Sequence, residues 1–146
     1  MRNGRSTPSA RVIEVDIPND VRHIERVVEL VQRECHEMAF GSRQVMLNVS
    51  VALTEALSNA ILRGNGDDPG KHVHVHASVD RSGIVVEVAD EGSGFDLDLC
   101  TADPTTPENV GREDGRGLFL MQKLMDRVER FEASTGNVVR LTLHRI

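Results

Sequence analysis

Residues 71–80 and 83–90 alternate apolar and polar side chains, and this alternation constrains the fold more than any other feature of the chain. Successive side chains of a strand point to opposite faces, so a period of two demands a sheet with one buried face and one face in water. In the first run Val73, Val75, Ala77 and Val79 share a face, opposite His72, His74, His76 and Ser78. In the second, Ile84, Val86 and Val88 share a face, and the same parity puts Asp90 on the buried side at the strand's end. Arg81-Ser82-Gly83 is short enough to join the two as a hairpin. Residues 11–17 alternate likewise, with Ile13, Val15 and Ile17 inward until Pro18 stops the run. So do residues 137–145, with Val139, Leu141 and Leu143 inward and Arg140, Thr142 and His144 outward.

Helices must cover the apolar face. Val21, Ile24, Val28, Val31, Cys35 and Met38 recur at spacings of three and four, which predicts an amphipathic helix capped by Asn19 or Asp20 and ending near Gly41. A second helix starts at a Ser42 cap and runs to Gly64-Asn65-Gly66, with a turn over 67–70. A third begins at Gly117 and carries Leu118, Met121, Leu124, Met125 and Val128, before a short link at Phe131 and Glu132. The expected fold is α/β of the α+β kind: a two-layer sandwich, its sheet mixed but mostly antiparallel, with helices on one face. Residues 1–10 are expected as a flexible arm and 11–146 as a single domain.

Composition narrows the functional classes. With 146 residues, 39% hydrophobic and 27% charged, the chain is long enough to bury a core and too apolar to stay disordered. Its net charge of −6 argues against a general nucleic-acid binder. No apolar run is expected to span a membrane and the first ten residues lack the apolar core of a signal peptide, so a cytoplasmic protein is expected. Cys35 and Cys100 have no CxxC spacing, and Cys35 lies on a helix's apolar stripe, as a buried thiol would.

Three segments carry chemistry. In LTEALSNAILRGN, residues 53–65, Glu55 and Asn59 stand one helical turn apart on a segment otherwise rich in alanine and leucine. Such a pair is either a solvated surface pair or a carboxylate and amide held in a partly buried site. Asp90-Glu91-Gly92-Ser93-Gly94-Phe95 places glycines just beyond the inward acid, where a missing Cβ lets a ligand approach the backbone. Gly115-Arg116-Gly117-Leu118 stands where a helix starts, and free N–H groups there can hold phosphate. Residues 91–116 form an unusually long loop, either a functional lid or disordered.

Taken together, EALSNAILRGN, VADEGSGFD and GRGLFLM resemble the N, G1 and G2 boxes of the GHKL ATPase/kinase superfamily, over nearly the whole chain. Within it, the length and the wording of the boxes resemble the anti-sigma-factor serine/threonine kinases. The resemblance implies the Bergerat ATP-binding fold, with ATP between helices and sheet under a mobile lid. By motif position, Asn59 would ligate Mg²⁺ and Asp90 would accept from the adenine amino group. Gly92 and Gly94 would shape the adenine pocket, and Gly115, Arg116, Gly117 and Leu118 would line the phosphates. Glu55 would be the general base. The implied partners are a sigma factor and a STAS-type anti-anti-sigma protein phosphorylated on Ser or Thr. A second copy of the chain is a further candidate partner, and neither nucleic acid nor membrane is expected. The chain departs from the pattern at Arg63, where the family often has His, and over residues 97–114, which leaves Arg112 and Arg116 as candidate γ-phosphate contacts only.

The residue chemistry supports the same roles. Mg²⁺ keeps waters and takes few protein oxygens, so one amide oxygen plus phosphates suffices. A carboxylate acceptor distinguishes adenine, which offers an amino donor, from guanine, which offers a carbonyl. Glu55 is placed to take a proton from an attacking hydroxyl. Two alternatives stay open: a non-catalytic module that uses nucleotide only to set its shape, and a detached histidine-kinase ATP-binding domain. His72, His74 and His76 could suggest zinc, but they lie on the outward face with no acid or cysteine evident beside them, so a solvated face is expected.

Overall fold

The computed structural model describes residues 10–92, 113–133 and 136–146. Strand β1 (Arg11–Pro18) is followed by a 3₁₀ turn (Val21–His23), helix α1 (Ile24–Glu37), and a long helical stretch. That stretch is π-wound at Gln44–Val49, regular through α2 (Ser50–Asn59), and π-wound again at Ala60–Gly64. Then come β2 (His72–Val79), β3 (Gly83–Ala89), α3 (Glu113–Leu124), β4 (Arg127–Ala133) and β5 (Gly136–His144). The five strands form one sheet in the order β1-β2-β3-β5-β4, every neighbouring pair antiparallel.

The alternation sets the sheet's two faces as expected. Val73, Val75, Ala77, Val79, Ile84, Val86, Val88, Val139, Leu141 and Leu143 are all buried, and they meet Val27, Val31, Leu53, Leu57, Ile61, Leu118 and Met121 from the helices. Removing one such leucine typically costs about 2–5 kcal/mol, so these helix positions are held firmly against the sheet. Asp20 caps the first turn through Arg22 N–H. α1 ends before Gly41: Ala39 adopts a left-handed φ of 63°, and Phe40 N–H closes back on the Cys35 carbonyl.

Four expectations need correction. The second helix opens with Val45 N–H on the Gly41 carbonyl, one residue ahead of the expected Ser42 cap. α3 starts at Glu113, four residues before Gly117, because the two glycines that masked its start are tolerated inside it. The third helix ends at Leu124, so Val128, expected on it, lies instead with Phe131 and Glu132 on a full strand over 127–133; as the sheet's edge this strand is charged (RVERFEA), which hid its alternation. The helical stretch Gln44–Gly64, 21 residues of mean hydropathy 1.5, is long and apolar enough to cross a membrane, although no run of that kind was expected. Here it is the core helix, with Val45, Val49, Ala52, Leu53, Ala56, Leu57, Ala60 and Ile61 buried. The expected arm over 1–10 falls almost wholly outside the described residues, as does the loop 93–112 with Gly94 and Arg112.

Candidate nucleotide site

α2 positions Glu55 and Asn59 on the edge of its buried face. Glu55 is half-buried and Asn59 only 8% exposed, so the solvated-pair alternative does not hold. Asn59 Nδ2 is buried and has no hydrogen-bond partner among the described residues. An unpaired buried amide costs about 1–3 kcal/mol, which a polar ligand would recover. Gly117 of α3 lies over both side chains: a Cβ there would stand 2.8 Å from Glu55 Oε2 and 3.5 Å from Asn59 Nδ2. Two segments far apart in sequence thus meet at one carboxylate and one amide.

Asp90 stands just past the end of β3 and is 5% exposed. Its N–H donates to the Asn137 carbonyl, and its Oδ1 accepts from Gly92 N–H at 3.0 Å and from Asn137 N–H at 3.3 Å. Burial pushes its carboxyl above the usual carboxylate range, against the opposing pull of those N–H donors, the Asn137 amide and the Arg130 charge. Oδ2 lies against Gly64, where any Cβ would overlap the carboxylate. Gly92 is equally confined, since a Cβ on it would collide with the Gly64 carbonyl. The glycine at the end of the long helix and the glycine after β3 are therefore needed for backbone and carboxylate to approach each other.

Asn65 fixes that junction. Its Nδ2 donates to Asn19 Oδ1 and to the His72 carbonyl, each at 2.9 Å, and its Oδ1 accepts from Glu91 N–H at 2.7 Å. Asn19 in turn donates to the Ile61 and Asp68 carbonyls. Asn65 reads in the sequence as a helix stop and Asn137 as the first residue of the last strand, so neither is expected at the site. Their signal is that a buried amide beside a glycine turn must find several partners.

In α3, Gly115 lies in the first turn, whose N–H groups are free by helix geometry, and Gly117 and Leu118 lie just inside the helix. Leu118 is fully buried and its side chain belongs to the core. Arg116 belongs to the same helix.

The outward histidines are exposed as expected, but acids do stand beside them. His74 Nδ1 is 2.9 Å from Asp16 and its Nε2 3.2 Å from Glu91, while His76 Nδ1 is 3.0 Å from Glu14. Cross-strand register brings those acids in, which a single strand's sequence does not reveal. No group of three such residues fit to hold a metal occurs among the described residues.

A sandwich with helices over one sheet face, a buried acid at the end of β3 beside Gly64 and a carboxylate–amide pair under Gly117 has the layout of an ATPase-type nucleotide domain. The model of the histidine kinase-like ATPase domain matches residues 17–143, and the chain belongs to that family. It is 30% identical over 139 residues to the serine-protein kinase RsbW of Bacillus velezensis, covering 92% of this chain and 86% of that one. It is also 30% identical over 101 residues to the anti-sigma F factor of Halalkalibacterium halodurans, covering 68% and 69%. Among solved structures it resembles the RsbU and RsbW domains of Rv1364c from Mycobacterium tuberculosis, with TM-score 0.67 and 13% identity over 92% of this chain and 32% of that one. The catalytic domain of histidine kinase ThkA matches with TM-score 0.55 and 14% identity, covering 92% and 96%. These two likenesses speak to fold, and the chain spans about a third of the Rv1364c polypeptide.

Proposed function

We propose that the chain is a cytoplasmic ATP-dependent serine/threonine protein kinase that also acts as an anti-sigma factor. The observation that carries this is the half-buried Glu55 carboxylate one turn from the buried, unpartnered Asn59 amide, both under Gly117. Asn59 would hold Mg²⁺ through its amide oxygen, a donor type a hard ion takes, while its unpaired Nδ2 is an N–H donor suited to a phosphate oxygen. Bound there, Mg²⁺ neutralises phosphate charge.

The protein's own groups do the rest. Asp90 Oδ2 accepts the adenine amino hydrogen, and its Oδ1 is already held by two backbone N–H groups. By motif position Gly92 and Gly94 would let the base lie on the backbone, and the α3 start, with Gly115, Arg116, Gly117 and Leu118, would meet the phosphates. Glu55 takes the proton of the acceptor Ser or Thr hydroxyl as its oxygen bonds to the γ-phosphorus and the bond to the ADP oxygen breaks. The relatives named serine-protein kinase and anti-sigma F factor support two protein partners: a sigma factor, and an anti-anti-sigma protein of STAS type that receives the phosphate.

Calorimetry and thermal melting with Mg·ATP test the nucleotide assignment. At 100 times the dissociation constant, bound nucleotide adds about 2.7 kcal/mol of stability. No heat of binding and no melting shift at saturating Mg·ATP would remove it.

A further inference from the structure

We propose that Arg130, acting through Asn137, is a positioning residue that holds Asp90 as a fixed, charged acceptor for the nucleotide base. This rests on the nucleotide-binding reading above. The sheet register aligns Val15, Val75, Val88, Val139 and Arg130 in one row across its inner face. Arg130 therefore fills, on the edge strand β4, a slot whose other four members are valines. A guanidinium in such a place is costly unless its charge is used.

Packing does not account for it. The Arg130 side chain is 21% exposed and its Nε is buried without a hydrogen-bond partner among the described residues. The carboxylate nearest it, Glu132, is 3.9 Å away and itself 81% exposed, a geometry worth little. The strong contact is Nη2 to Asn137 Oδ1, at 2.7 Å. Asn137 passes this on: its Nδ2 donates to the Gly92 carbonyl at 3.3 Å and its N–H to Asp90 Oδ1. One guanidinium thus orients the amide that grips both the acid and its glycine turn.

Burial favours the protonated acid; the Gly92 N–H, the Asn137 N–H and the Asn137 amide that Arg130 orients oppose it, and the Arg130 charge adds a smaller pull in the same direction. Among the described residues, the other charged groups near the turn have partners or face solvent. Glu91 turns to His72 N–H and His74 on β2, and Glu132 points to solvent. Arg63, next to Gly64, makes an interaction of its own. An ionised Asp90 accepts from the amino group of adenine, whereas a protonated one can donate to the 6-carbonyl of a hypoxanthine base.

The experiment titrates ATP and ITP, each with Mg²⁺, against wild type, Arg130→Met and Arg130→Lys from neutral to acid pH, with folding checked by circular dichroism throughout. In Arg130→Met the loss of ATP affinity sets in at higher pH than in wild type and then approaches about tenfold per pH unit. Its preference for ATP over ITP falls as the pH drops. Arg130→Lys, which keeps the charge, restores the wild-type acid limb. A folded Arg130→Met with the wild-type pH profile and ATP/ITP ratio overturns the inference. If wild type binds neither nucleotide, the nucleotide reading itself fails, and that result is distinct.

Discussion

Gly117 of α3 and Glu55 of α2 approach so closely that a single methyl group between them would stand 2.8 Å from Oε2. The carboxylate is the end of a flexible side chain, so Gly117→Ala displaces it without forcing the helices apart. In a helix interior, alanine is about 1 kcal/mol better than glycine. The variant is therefore expected to melt at or above the wild-type temperature while losing at least about tenfold in phosphate transfer, since a misplaced base forfeits much of its catalytic factor. Thermal melting beside a single-turnover assay checks this; parallel loss of stability and activity would mean Gly117 serves packing alone.

Asn65→Ala makes a different prediction. It removes the Asn65 partner of the Asn19 amide oxygen, the His72 carbonyl and the Glu91 N–H. With a residue only 2% exposed, water cannot easily replace it. Denaturant unfolding should show a loss of about 1–3 kcal/mol, and nucleotide affinity should fall with it because the Asp90–Gly92 turn is no longer tied to the long helix. A change below about 0.5 kcal/mol, the usual range for a surface site, would contradict the network.

Much of this was legible in the chain. Strict alternation placed Val73 to Val79, Ile84 to Val88 and the inward Asp90, because parity survives any uncertainty in tertiary packing. The pairing of Glu55 with Asn59 followed from helical spacing. What stayed hidden depended on neighbours distant in sequence. β4 concealed its alternation because an edge strand carries charge. The start of α3 was obscured by Gly115 and Gly117, and Asn65, Asn137 and Arg130 acquire their roles only through cross-strand and loop partners.

Cys35 gives a pH prediction. It is fully buried, and desolvation pushes its thiol up to about 12, so the native state keeps a proton that the unfolded chain releases from 9.0 upward. A folded pKa above the unfolded one means stability is complete below pH 9 and lost as pH rises, by up to about 1.4 kcal/mol per unit. The chain has no tyrosine, which leaves this range comparatively clear. Cys35→Ala should flatten the alkaline decline in urea unfolding free energy, and an identical slope in both proteins would exclude the thiol as its source.

The central claim is phosphate transfer to a hydroxyl, with Glu55 as the base. The most direct measurement is single-turnover transfer from γ-labelled Mg·ATP to an anti-anti-sigma partner by wild type and Glu55→Gln, with nucleotide affinity measured on both. The account predicts acid-stable phosphate on a Ser or Thr of the partner. In Glu55→Gln the rate is expected to fall by about 10² to 10⁴, with affinity for Mg·ATP retained. Equal rates in the two proteins, an acid-labile phosphohistidine product, or no transfer by a wild type that binds Mg·ATP would contradict it.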